Sequence, residues 1–169
     1  MIEKKPWSVP VAVEDVPDTG LHVDIEAPAA ARDGVVQLAS IRALPRLTAT
    51  FDLTRRGAGV QVSGQVNAVV GQTCVVSLEP METALDEPID VTFSPSVEAV
   101  STDVDEPPEP LVDGVVDLGA IATEFLLLAI DPYPRKEGVQ FAAPQTEDGG
   151  PHPFDALETL KKRLGGGKP

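Results

Sequence analysis

The sequence predicts a single α+β domain in which an antiparallel β-sheet is covered by helices. Three consecutive stretches alternate apolar and polar residues, as half-buried strands do. Two further stretches place apolar residues at helical spacing. A chain of 169 residues has the length of one domain and can bury a sizeable core. We expect about four to six strands, with the helices packed on one side of the sheet.

The central strand is predicted from Val60 to Leu78. Apolar residues or glycine occupy the even positions from Val60 to Val70, and polar residues fill the odd positions from Gln61 to Asn67. Continued in register, the buried face receives Cys74, Val76 and Leu78. A bulge at Gly71 is the natural place for any change of register. The strand ends before Pro80, because proline donates no hydrogen bond to a ladder.

Strands on either side are predicted to pair with this one in an antiparallel meander. The preceding strand alternates from Leu47 to Thr54 and is joined through a glycine-rich turn at Gly57 to Gly59. The following strand alternates from Leu85 to Phe93. Pro88 places that third strand at an edge of the sheet, or delays its start.

Shorter elements are expected near the N-terminus. Val9, Val11 and Val13 indicate one short strand, and the stretch from Leu21 to Ala27 indicates a second. Pro28 can occupy the first turn of a helix that continues towards Leu38, Ile41 and Leu44. Pro45 is expected to end this helix.

A second helix is predicted from Leu118 to Ile130. A short strand at Val115 and Val116 precedes it, and Asp117 can cap its N-terminus. The helix is apolar nearly all round, so it is either deeply buried or half-covered by a partner.

The predicted domain spans residues 1–137. A linker is expected over 138–152, and a short helix with a flexible tail over 153–169. The acidic, proline-rich stretch from Ser96 to Pro110 is predicted to be a mobile loop.

The charge distribution is uneven. The net charge is −14, and all thirteen Lys and Arg residues lie before Gly57 or after Pro134, whereas fourteen acids lie between those points. The acidic section is either a solvated, self-repelling surface or one that attracts basic partners such as ribosomal proteins. Direct nucleic-acid binding by this section is disfavoured, since phosphate contact needs clustered cations.

Four arginines are the candidates for direct RNA contact. They lie within fifteen residues and are opposed only by Asp52: Arg42, Arg46, Arg55 and Arg56. Together with Lys161, Lys162 and Arg163 they could form a basic face. The alternative, which we favour, is that they are scattered surface charges that balance the acids. No aromatic residues interleave with them, so a stacking platform for single strands is unsupported.

The single cysteine, Cys74, has three interpretations. A catalytic thiol needs a histidine and an orienting group, and the two histidines, His22 and His152, lie in peripheral segments. A metal ligand needs companions, and one thiolate with two scattered histidines is a poor zinc set. We favour a small residue of the buried core. One cysteine forms no internal disulfide, which fits a reducing cytoplasm. No apolar run has the length of a membrane span, and no signal peptide is evident.

Three blocks of the sequence resemble the YceD-like family of bacterial proteins, which is linked to accumulation of large-subunit ribosomal RNA. The first block is Gln72 to Pro80, with Phe93-Ser94-Pro95 after it. The second joins Asp117-Leu118 to an apolar run and then to Pro132-Tyr133-Pro134. The third is Pro153-Phe154 with the leucines after it. The residues carrying the resemblance are Cys74, Glu79, Pro80, Asp117, Leu118, Tyr133, Pro134 and Phe154.

The resemblance implies a non-catalytic ribosome-biogenesis factor that promotes synthesis, processing or stability of large-subunit (23S) ribosomal RNA. Its expected partner is that RNA or the pre-ribosomal large subunit, contacted directly or through a basic ribosomal protein. No cofactor, membrane or DNA is expected. Two alternatives stay open: an acidic adaptor that chaperones a basic ribosomal protein, and a divergent metal-binding protein that uses Cys74. Many relatives resemble a Cys-x-x-Cys pattern here, whereas this chain has Ser77 at the second position.

Overall fold

The computed structural model describes residues 5–95, 108–141, 157 and 160–162. The chain divides into two units, Met1–Val139 and Gln140–Pro169. In the second unit, residues 157 and 160–162 are helical, while the predicted motif residue Phe154 lies outside the described residues. The candidate basic residue Arg163 and the greater part of the predicted loop 96–110 also lie outside them.

The described residues of the first unit form a five-stranded sheet, a two-stranded sheet and two α-helices. Its elements, in chain order, are β1 (Pro10–Ala12), a 3-10 turn (Val13–Asp15), β2 (Leu21–Glu26), α1 (Ala29–Ala39), β3 (Ala43–Arg56), β4 (Gly59–Thr73), β5 (Pro80–Ser94), β6 (Glu109–Pro110), β7 (Val115–Asp117) and α2 (Leu118–Ala129). The larger sheet has the order β2-β3-β4-β5-β6, and β1 pairs with β7. All pairings are antiparallel apart from β5 with β6. The predicted α+β fold is confirmed.

The predicted meander is confirmed as β3, β4 and β5. Phe51 of β3 lies opposite Gly64 of β4, which lies opposite Ile89 of β5. The turn between β3 and β4 consists of Gly57 and Ala58, and Gly57 has a φ of 61°, which suits the two-residue turns favoured in hairpins. β5 is paired along its length on one side only, except where β6 meets its last two residues. Pro88 therefore lies on an edge segment, as expected.

The predicted end of the central strand is wrong. β4 ends at Thr73, which pairs with Pro80 at the start of β5, so the chain must reverse between these residues. Cys74 is fully buried, as the predicted face required, but Leu78 is 75% exposed. The bulge also lies elsewhere, because the register shifts between Ala43 and Arg46 of β3. Gly71 pairs with Ala43 at the edge of this bulge, and Val70 is the β4 residue opposite it.

The first helix is shorter than predicted. α1 ends at Ala39, and Ser40 adopts a left-handed conformation with a φ of 54°. The Ile41 N–H donates to the Val36 carbonyl at 3.2 Å and closes the helix end. The chain then enters β3, where Leu44 is buried in the sheet and not in the helix. Pro45 therefore sits in the β3 bulge, where its missing N–H does least harm.

The core lies between the helices and the inward face of the sheet. Its fully buried large side chains include Val35 of α1, Phe51 and Leu53 of β3, Val62 of β4, and Leu118 and Leu126 of α2. The opposite face of the sheet is polar. Neither α1 nor α2, nor any other helix of the described residues, combines the length and apolar character needed to cross a membrane.

The helix α2 begins where predicted, because Asp117 caps it. The Asp117 Oδ1 accepts from the Ala120 N–H at 3.2 Å. Gly119 allows α2 to approach the N-terminal segment closely, since a Cβ there would lie 3.0 Å from backbone atoms of Trp7 and Ser8. One side of α2 is buried, but Leu128 is 79% exposed. The helix was predicted to be either deeply buried or half-covered by a partner. The described residues bury it on one side only.

Candidate functional site

The turn between β4 and β5 is built around Cys74. The Cys74 N–H donates to the Glu79 carbonyl at 2.9 Å, and the Leu78 N–H donates to the Cys74 carbonyl at 2.9 Å. Leu78 has a φ of 60°, a conformation that is uncommon outside glycine. Tight closure of this turn forces the cysteine side chain inward and leaves the leucine in solvent.

The segment after α2 packs against this turn. The Val75 N–H donates to the carbonyl of buried Pro134 at 2.9 Å. The Lys136 ammonium lies 2.8 Å from the Glu79 carboxylate, and this ion pair lowers the pKa of Glu79. The structure thus brings together four of the eight motif residues, which come from two separate blocks of the sequence: Cys74, Glu79, Pro80 and Pro134. Tyr133 precedes Pro134 but is 71% exposed, and its N–H donates to Asp131.

The sulfur of Cys74 accepts two backbone hydrogen bonds. The N–H groups of Ser77 and Lys136 each donate to it at 3.4 Å. The hydroxyl of Ser77 is the largest cause of a lowered pKa, followed by these backbone donors, while burial acts in the opposite direction. Together they lower the pKa of Cys74 from 9.0 to about 6. The arrangement can hold a buried thiolate.

The histidine of the described chain is engaged elsewhere. His22 of β2 places its Nδ1 2.7 Å from Asp52 of β3 and its Nε2 3.4 Å from Asp24. These contacts, led by the hydrogen bond to Asp52, raise the pKa of His22. Among the described residues, no group of three His, Cys, Asp or Glu side chains is placed to hold a metal ion.

Asp117 and Leu118 lie apart from the cysteine and have a structural part. Asp117 accepts hydrogen bonds from the Ser8 hydroxyl at 2.9 Å and from the Val9 N–H at 2.8 Å, besides capping α2. Burial raises the pKa of Asp117, but these donors, with Lys5 at 3.7 Å, lower it overall. The Leu118 N–H donates to the Val9 carbonyl at 2.9 Å. Both residues therefore fasten the N-terminal segment to α2.

The four candidate arginines fall into two pairs at opposite ends of β3. Arg46 and Arg56 lie on the same face but ten residues apart along the strand, which corresponds to about 30 Å. Arg42 donates to the Thr73 hydroxyl at 3.4 Å, beside one end of the sheet. Arg56 donates to the Gln61 side chain at 2.9 Å and 3.2 Å at the other end. The four side chains do not form one continuous patch.

A groove with a volume of about 940 Å³ runs between α2 and the strands β5 to β7. Its apolar lining includes Val91, Phe93, Val112, Val115, Phe125 and Leu128. Four acids also line it: Asp90, Glu109, Asp117 and Glu124. Sequence reasoning missed this feature, since its residues are dispersed over four elements. The available signal was the surplus of apolar residues around α2.

Comparison with known proteins identifies the family. Residues 62–161 match the family described as "Large ribosomal RNA subunit accumulation protein YceD", and these residues make up more than half of the 169-residue chain. The match includes the Cys74 turn, β5 and α2. No curated protein and no solved structure gives a significant match. The chain therefore belongs to the YceD family of large ribosomal RNA subunit accumulation proteins.

Proposed function

We propose that this protein acts in the cytoplasm as a non-catalytic factor in assembly of the large ribosomal subunit and promotes accumulation of that subunit's RNA. The family match over residues 62–161 carries the proposal. That match contains both chain segments that meet at Cys74. A buried junction of this kind suits a scaffold that presents surfaces to other molecules.

The surroundings of Cys74 support a non-catalytic role. Its sulfur is buried and accepts two backbone hydrogen bonds, so it is poorly placed to attack a substrate. His22 is engaged by Asp24 and Asp52 rather than by the thiol. A nucleophilic cysteine needs an accessible sulfur and an adjacent base.

The charge distribution supports recruitment through a protein rather than through naked RNA. The exposed arginines of β3 are split into pairs about 30 Å apart. The section from Gly57 to Pro134 has fourteen acids and no cation. Phosphates would be repelled by this section, whereas a basic protein would be attracted to it. We therefore propose that contact with a basic ribosomal protein dominates recruitment.

Deletion of the gene tests the function. Cells without the protein should contain less large-subunit ribosomal RNA relative to small-subunit RNA, and the wild-type gene should restore the ratio. A tagged copy purified from cells, with and without ribonuclease, separates the two modes of recruitment. We expect ribosomal proteins to remain bound after ribonuclease. An unchanged RNA ratio in the deletion strain would contradict the proposed function.

A further inference from the structure

Among the described residues, one side of α2 is left uncovered beside the groove. Leu128 on this helix is 79% exposed, and Val112 on the facing segment is 66% exposed. Phe93 and Phe125 contribute partly buried rings to the lining of the groove. Contiguous exposed apolar surface of this kind marks interaction sites on proteins that are otherwise well packed.

The acids around the groove are not neutralised equally. Lys5 lies 3.7 Å from Asp117, and Asp90 accepts a hydrogen bond from Gln61 at 3.1 Å. By contrast, Glu109 and Glu124 form no ion pair within the described part of the chain. Both carboxylates are exposed at the rim of an apolar surface.

The apolar lining and the carboxylates at its rim together indicate what kind of molecule binds in the groove. An apolar lining is filled by apolar side chains, and flanking carboxylates attract Lys or Arg. RNA is disfavoured, because its phosphates would meet the acids. A second copy is disfavoured, because two chains of net charge −14 repel each other. A helix or extended segment with one apolar and one basic face satisfies both requirements.

We propose that the groove between α2 and β5 to β7 binds a basic amphipathic segment of a partner protein. The segment's apolar side chains pack on Phe125 and Leu128, and its cations reach Glu109 and Glu124. The inference deepens the proposed function, and rests on it for assigning the partner to the assembling large subunit. The binding chemistry itself rests on the groove.

The test measures binding of a fluorescent amphipathic peptide with leucines on one helical face and lysines and arginines on the other. A second peptide keeps the cations but replaces the leucines with serines. The full chain carrying Glu124→Lys and Leu128→Lys disrupts the groove at two exposed positions. The matched control carries Thr50→Lys and Glu82→Lys, which add the same positive charge at exposed positions of the sheet's open face.

We expect the wild-type chain and the control to bind the leucine peptide with affinities within about twofold of each other. The groove variant should bind it about tenfold more weakly, the equivalent of one lost anchor. The serine peptide should bind weakly to all three. Equal binding by the groove variant and the wild type would overturn the proposal. So would equal losses in the groove variant and the control, which would indicate general attraction to an acidic protein. Thermal unfolding of each variant establishes that it is folded.

Two further outcomes would identify a different occupant and overturn the proposal. The first is a dimer of the wild-type chain that the groove variant abolishes. The second is that a large-subunit RNA fragment displaces the leucine peptide from the protein, under conditions in which the RNA does not bind the free peptide. Sedimentation and competition measurements on the same samples distinguish them.

Complementation of the deletion strain separates this proposal from the proposed function. The control variant should restore large-subunit RNA and the groove variant should not. A groove variant that has lost the peptide but restores the RNA would overturn the groove as the partner site and leave the function standing. A deletion strain with a normal amount of large-subunit RNA would contradict the proposed function. The peptide measurements would then still test whether the groove binds a basic amphipathic segment.

Discussion

The backbone N–H of Lys136 donates to the sulfur of Cys74 at 3.4 Å, and so joins the segment after α2 to the turn after β4. The N–H of Ser77 donates to the same atom at 3.4 Å. Both donors, with the Ser77 hydroxyl, favour the thiolate over the thiol. Two segments that are 62 residues apart in the sequence therefore meet at one buried sulfur.

This arrangement predicts a pH-dependent contribution of Cys74 to stability. The pKa of Cys74 is lowered to about 6 in the folded chain, from an ordinary value of 9.0. The contribution is therefore complete above the ordinary value and is lost as the pH falls through about 6. Urea midpoints of the wild type and Cys74→Ser, measured under reducing conditions, should diverge as the pH rises. Parallel midpoints across this range would contradict the prediction.

Ser77 provides the control for the cause of that shift. Its hydroxyl is the largest contributor, so Ser77→Ala should raise the pKa of Cys74 towards its ordinary value. The thiolate's ultraviolet absorbance reports the titration directly. If the midpoint stays near 6 without the hydroxyl, the backbone donors alone would account for the lowered pKa.

Asp117 is predicted to stabilise the fold through the N-terminal segment and the cap of α2. Asp117→Ala should cost about 1–2 kcal/mol at neutral pH, because it removes a helix cap with further hydrogen bonds. Glu124→Ala, an exposed change on the same helix, should stay within about 0.5 kcal/mol. Chemical denaturation of the three chains makes the comparison.

The pH dependence of the Asp117 effect follows from its lowered pKa. The charge stabilises the fold at any pH above the ordinary carboxyl value, about 3.9. That stabilisation disappears as the pH falls through the lowered folded value. The difference between the wild type and Asp117→Asn should accordingly shrink in acid. A difference that grows in acid would show that the charge is not what stabilises the contact.

The alternation of apolar and polar residues was sufficient to predict the meander and its buried face. It placed Phe51 and Val62 correctly because a period of two has only two possible phases. It failed at Leu78, because parity says nothing about where a strand ends. Pro80 was the better signal, because it marks a strand boundary. It is the first residue of β5, however, and pairs with Thr73, so β4 ends seven residues before it.

The candidate site was only partly predictable, because its parts are distant in the sequence. The importance of Cys74 could be inferred from the resemblance, but its partner Lys136 lies 62 residues away and donates a backbone N–H. Any residue except proline supplies such a donor, so the sequence carries no signal for it. The arginines show the opposite error, since residues close in sequence are far apart once the strand is extended.

The two sides of α2 are predicted to respond differently to truncation. Leu126 is 1% exposed, so Leu126→Ala should cost about 2–5 kcal/mol through lost burial and a cavity. Leu128→Ala on the uncovered side should change the free energy of unfolding by no more than about 0.5 kcal/mol. Denaturant midpoints should separate the two variants clearly. A large cost at Leu128 would mean that residues of the same chain cover it.

Direct contact with large-subunit RNA is predicted to be weak and only shallowly dependent on salt. Arg46 and Arg42, which immediately precedes β3, lie at one end of this strand, and Arg55 and Arg56 lie at the other. A short RNA segment can therefore meet about two of these four arginines at once, and the number of counterions released limits their part of the salt slope to a magnitude of about 2. Charge reversal of either pair alone should accordingly change the affinity little. Binding of a large-subunit RNA fragment, measured across a range of salt concentrations, tests this for the wild type and for each reversed pair. Tight binding with a steep slope, lost on reversing one pair, would show that RNA is contacted first and the basic protein partner afterwards.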